Sequence, residues 1–170
     1  MKDDANPWVR MCNQAMFRTI LSLLLALVIA VVIGAFQIVG LDLAAIQALL
    51  NSSSVTADLM LYGAALFGSL MIPYSAATSA VPLYAPLVAL GVAGFVAGLV
   101  SKSGVRMFFV SIISLVLFFL GYYVLFLAGD PSNASQMYNI ARNMVIDIGV
   151  AFGLLFIPGV IGASLTAEEY

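Results

Sequence analysis

The chain has 170 residues, 64% of them hydrophobic and 8% charged, with a formal net charge of −2 and no histidine. Soluble globular domains carry about 25% charged residues, so the composition excludes an ordinary water-soluble enzyme. Six Lys and Arg against eight acids leave no basic patch to track nucleic acid. The missing histidine removes the commonest general base and metal ligand.

Apolar residues fill five blocks, Thr19–Gly40, Leu59–Ala80, Val81–Val100, Met107–Ala128 and Met144–Leu165. A helix of about 20 apolar residues matches the ~30 Å hydrocarbon core of a bilayer and satisfies its own backbone polar groups. The expected fold is an all-α integral membrane protein. It is a compact bundle of five membrane-embedded helices, about 17–40, 59–78, 82–100, 106–128 and 138–165, within a single polytopic domain spanning 1–170.

Lys2, Arg10 and Arg18 precede the first block as they would a secretory signal. The apolar run is longer than a signal h-region and Gln37–Gly40 makes a poor cleavage site, so the block is expected to stay as an anchor helix. Cys12 is the only cysteine. It permits neither an internal disulfide nor a cysteine metal cluster, and an inert thiol is expected over palmitoylation. Leu41–Leu50, apolar but for Asp42 and Gln47, has the length of a short interfacial helix.

The region Asp58–Val100 is twice the membrane thickness as one helix, and therefore turns. Pro73 and Pro82 bracket a Ser/Thr/Ala run, and proline removes a helix donor and disfavours helix in the residue before it. Either the chain makes five spans, or 59–80 is a re-entrant hairpin and it makes four. With five spans and a cytoplasmic N-terminus, Lys102 and Arg106 face outside. With the hairpin, Lys2, Arg10, Arg18, Lys102 and Arg106 all lie inside and only Arg142 outside, which fits the positive-inside rule better. The greater frequency of full crossings tips the expectation to five. Two N-x-S sequons, at Asn51 and Asn133, mark possible glycosylation, and only the four-span arrangement puts both outside. Ordinary polar turns are the expected reading of both.

Gly91, Gly94 and Gly98 lie in the third block, and Gly149 and Gly153 repeat the G-x-x-x-G spacing in the last. In lipid, helices associate through close backbone approach, so these glycines are expected to pack helices together. Phe108, Phe109, Phe118 and Phe119 make the fourth block bulky, and Tyr122 and Tyr123 stand where an interfacial aromatic belt would.

Ser135, Asn139, Asn143 and Asp147 recur every fourth residue and so share one helix face. An ionisable group inside a span faces the bundle interior, a partner or water, and Asn143 is the expected hydrogen-bond partner of Asp147. Ser75, Thr78 and Ser79 at the proline turn are the other candidates for a polar path or contact. Asp147 is the one acid well inside a block, so paired-carboxylate chemistry has no second member, and no catalytic, cofactor or metal residue is expected. The expectation is a non-enzymatic accessory, scaffold or assembly subunit of a larger membrane complex. The alternative is a small oligomeric channel or transporter using the polar stripe. The partners expected are the lipid bilayer and other membrane subunits or further copies, without nucleic acid, in a multi-pass cell-membrane location with a cytoplasmic N-terminus.

Overall fold

In the computed structural model the backbone is described for residues 7–52, 54–127 and 144–167, and the side chains for 14–52, 54–125 and 144–167. Seven helices are formed and no strand occurs among the described residues: α1 Pro7–Gln37, α2 Leu43–Leu50, α3 Val55–Met71, α4 Pro73–Ala77, α5 Ala85–Ser101, α6 Gly104–Leu127 and α7 Val145–Leu165. Three stretches are long and apolar enough to cross a bilayer, Gln14–Gln37, Gly104–Leu125 and Val145–Leu165; α3 and α5 are apolar but shorter.

The ends of the elements follow from local chemistry. At the end of α1, Gly40 takes the left-handed φ of 68°, which lets the Leu41 N–H return to the Ala35 carbonyl at 3.0 Å. Asp42 then caps α2 by accepting the Ala45 N–H at 2.7 Å. The helix expected over 59–78 is two helices. Pro73 has no N–H to continue α3, and Ile72 before it leaves the helical region at φ −121°, ψ 49°. Pro73 instead occupies the first position of α4, where a missing donor costs nothing. The break thus falls at Pro73, the first of the two prolines that bracket the expected turn. α1 starts ten residues before the expected boundary of 17; the expected start of the last helix at 138 lies outside the described residues.

Two buried clusters give the helix directions. One gathers Ala26 of α1, Ala97 of α5, Met107 and Val110 of α6, and Ala163 of α7. The other gathers Ala30, Ala89, Ala93, Leu115, Phe118, Ala151 and Leu155, together with Leu66, Leu70 and Met71 of α3. From the first cluster to the second, residue numbers rise along α1 and α6 and fall along α5 and α7. Hence α1 and α6 run one way, and α5 and α7 the other.

The third helix belongs to the second cluster alone. Gly63 abuts Leu125, and Phe67 abuts Gly121 and Phe118, so α3 runs antiparallel to the C-terminal half of α6. Its tip, Met71, shares a groove with Leu115 near the middle of α6. Because α3 and α5 both run against α6, Val55–Ser101 makes one broken passage from one end of the bundle to the other, with α4 set at the break.

Close packing is concentrated on α5, which lies between α1 and α7. Ala89, Ala93, Ala97 and Ser101, one turn apart, are fully buried, as are Ser22, Ala26 and Ala30 on α1. These two small-residue ladders form the α1–α5 seam. On the α7 side, a Cβ on Gly94 would strike the Leu155 carbonyl and one on Gly98 the Gly159 carbonyl, while one on Gly162 would strike the Phe95 carbonyl. The close approach therefore uses Gly94 and Gly98 with Gly159 and Gly162. Gly149 and Gly153 are not part of it: among the described residues a Cβ on Gly149 or Gly91 meets nothing within 4 Å, and one on Gly153 meets only Ile157 of its own helix.

Candidate functional site

The break between α3 and α5 meets the start of α7 through two residues, Asp147 and Ser75. Asp147 stands in the first turn of α7 and is 4% exposed. The Ser75 backbone N–H donates to its Oδ1 at 2.8 Å, and the Ser75 hydroxyl donates to its Oδ2 at 2.6 Å.

Both donors are products of the proline break. A helix leaves its first backbone N–H groups without internal partners, and Ser75 is the third residue of α4, behind Pro73, which has none to offer. Ser75 is itself exposed, and the buried Asp147 supplies an acceptor for its N–H from another helix. Asp147 also lies near the N-terminus of α7, where a negative group is favoured by the helix dipole. The arrangement satisfies a buried carboxyl and a broken backbone with the same two bonds.

The other described polar candidates, Thr78 and Ser79, do not join this pair. Thr78 donates to the Tyr74 carbonyl at 2.9 Å, and Ser79 to the carbonyls of Ala76 and Val81 at 2.9 and 2.7 Å. Their hydroxyls stabilise the turn after α4, which the Leu83 N–H closes on the Ala76 carbonyl at 3.0 Å. Asn139, Asn143 and Asn133 lie outside the described residues. The described partner of Asp147 is Ser75, 72 residues away in sequence; the expected contact with Asn143 lies outside the described residues. Asn51 is exposed at the C-cap of α2. In α6, Ser111 donates to the Met107 carbonyl at 2.8 Å, and the Ser114 hydroxyl is fully buried with no hydrogen-bond partner among the described residues.

The surroundings of the pair are apolar. A groove of about 270 Å³ beneath the α3 tip is lined by Met71, Leu115, Val116, Phe119 and Ile148. A second, of about 320 Å³, lies along the other side of α3 between Leu61, Ala64, Gly68, Ser69, Ile72 and Tyr122. No group of His, Cys, Asp and Glu able to hold a metal occurs among the described residues. Comparison with protein-family models, with curated proteins and with solved structures finds no match.

Proposed function

We propose that this chain is a non-enzymatic, multi-pass membrane protein acting as an accessory or assembly subunit of a larger membrane complex. The observation that carries the reading is the use of Asp147. Its two carboxyl oxygens are both taken up by Ser75, and the Thr78 and Ser79 hydroxyls are occupied by nearby carbonyls. The described part of the candidate polar path is thereby spent on holding the fold, which fits a scaffold better than a conduit.

The proposed topology has four passages: α1, the broken α3–α5 passage, α6 and α7. Opposed directions of α1 and α5 support it, since five alternating spans would make those two helices parallel. In this arrangement Arg18, Lys102 and Arg106 share one end, which the positive-inside rule assigns to the cytoplasm, together with the N-terminus.

A channel or transporter is the second reading, favoured by one feature. Broken helices with a polar group at the break are the usual setting for substrate and ion sites in transporters, and Asp147 stands at such a break. Two measurements separate the readings. The mass of the protein in mild detergent is expected to include a different, co-purifying subunit, and reconstituted vesicles are expected to pass no ion. A pure homo-oligomer whose ion flux is abolished by Asp147→Asn overturns the subunit reading.

A further inference from the structure

A small polar cavity lies where α2 meets the first turns of α3. It holds about 210 Å³ and is lined by Ala45, Ala48, Leu49, Asp58 and Tyr62. Ala45, Ala48 and Leu49, three and four residues apart on α2, share one helix face. The two alanines end at Cβ and leave room. Asp58 and Tyr62, four residues apart near the start of α3, make the facing wall, and both are half-buried.

The connection between the two helices holds the carboxylate in place. The Ser52 hydroxyl donates to Asp58 Oδ2 at 2.6 Å and the Ser54 hydroxyl to the same oxygen at 3.5 Å, while the Ser54 N–H donates to the Ser52 hydroxyl at 3.1 Å. Oδ1 is left without a partner among the described residues. The described cations, Arg18, Lys102 and Arg106, stand at the other end of the bundle. Asp42, whose carboxylate accepts the N–H of the cavity residue Ala45, adds a second negative charge close by. A divalent metal gathers several carboxylates and carbonyls, and no acidic group able to hold one occurs among the described residues. One carboxylate oxygen beside an aromatic side chain matches a singly charged organic cation, which both attract.

We propose that this cavity binds an alkylammonium group, of the kind carried by ethanolamine and choline headgroups of lipids and by free amines. The ammonium lies against Asp58 Oδ1 and Tyr62, and its carbon substituents rest on Ala45, Ala48 and Leu49. Leu43 and Leu50 of α2, 80 and 71% exposed, give the mouth an apolar collar. In a membrane, such a collar sets the cavity at headgroup depth. In the proposed topology this end faces away from the cytoplasm.

The test is ligand-observed saturation-transfer NMR on the full chain in an uncharged maltoside detergent. Choline chloride is the probe, with sodium chloride holding the ionic strength constant, and saturable transfer to the choline methyl protons is expected. Asp58→Asn keeps an acceptor for the Ser52 hydroxyl, so the unfolding midpoint is expected to hold. The same change is expected to raise the half-saturating choline concentration about tenfold, the worth of one bond to a charged group. Tyr62→Leu is expected to weaken binding several-fold. Asp42→Asn removes an equal charge outside the cavity and still caps α2, so binding is expected to survive it. Ethanolamine and dihexanoyl phosphatidylethanolamine are expected to displace choline, and dihexanoyl phosphatidylglycerol, which has no ammonium, is expected to leave it bound. A lower displacing concentration for the ethanolamine lipid identifies a headgroup as the ligand, and a lower one for ethanolamine identifies a free amine; either supports the site. Absence of saturable transfer, transfer unchanged by Asp58→Asn or by Tyr62→Leu, or equal displacement by the phosphatidylglycerol overturns it, whether or not a second subunit co-purifies.

Discussion

Gly98 lies against Gly159 so closely that a Cβ on Gly98 would occupy the space of the Gly159 carbonyl. The obstacle is backbone, which cannot rotate aside as a side chain does. Gly98→Ala is therefore expected to push α5 from α7 and to cost about 1–3 kcal/mol, the usual range for overpacking, with Gly98→Leu worse. Gly149→Ala, with open space at the same atom, is expected to be neutral or to gain up to about 1 kcal/mol from helix propensity. Apparent unfolding midpoints in detergent compare the three; a harmless Gly98→Leu would contradict the described seam.

The seam between α1 and α5 makes a parallel prediction from smaller volumes. Ala26 and Ala97 are both fully buried in one cluster, leaving no room for longer side chains between the two backbones. Ala97→Leu and Ala26→Leu are each expected to lower the unfolding midpoint through overpacking of about 1–3 kcal/mol. Val28→Leu, on the outer face of the same helix, is expected to leave it unchanged.

The two seams differ in how plainly the sequence announces them. Gly94 and Gly98 stand out because their spacing alone puts two smooth surfaces on one helix face. Their partners do not: Gly159 follows Pro158 near the end of α7, while the more regular Gly149 and Gly153 lie away from the seam. A spacing motif reports that a face is smooth and carries no information about what lies opposite. The same limit hides the partner of Asp147. Periodicity links residues one turn apart, which is why Asn143 is the expected contact, whereas Ser75 is brought in only by the break at Pro73. Helix direction is equally hidden, since α3 and α5 have the hydropathy of separate spans and only their packing against α6 shows them parallel.

At the Asp147–Ser75 junction the order of damage distinguishes a tie from a conduit. Asp147→Asn keeps an acceptor for the Ser75 N–H and lets the hydroxyl turn to accept from the amide, so a loss of about 1 kcal/mol or less is expected. Asp147→Leu removes both bonds between a charged group and Ser75, and a loss of about 1–3 kcal/mol is expected. Ser75→Ala removes one donor from a carboxyl oxygen and should fall between them. In a double-mutant cycle Ser75→Ala and Asp147→Leu are expected to be strongly non-additive, as residues sharing one bond are. Additive losses would mean that the two side chains do not act together.

The broken passage is tested by sidedness. In a Cys12→Ser background, single cysteines replace Asn51, after α2, Ser79, after α4, and Ser103, between α5 and α6; Asn51 and Ser79 are exposed, and Ser103 is half-buried. If Val55–Ser101 crosses once, Asn51→Cys and Ser103→Cys lie on opposite sides, and an impermeant thiol reagent applied to sealed vesicles labels one and spares the other. Five alternating spans would put both on the same side, because α3 and α5 would then each cross. Ser79→Cys adds a check on the break itself: with α3 ending at Met71 level with the middle of α6, it is expected to react from the Asn51 side or not at all. Reaction of Ser79→Cys from the opposite side, together with shared labelling of Asn51→Cys and Ser103→Cys, would show two full crossings and overturn the broken passage.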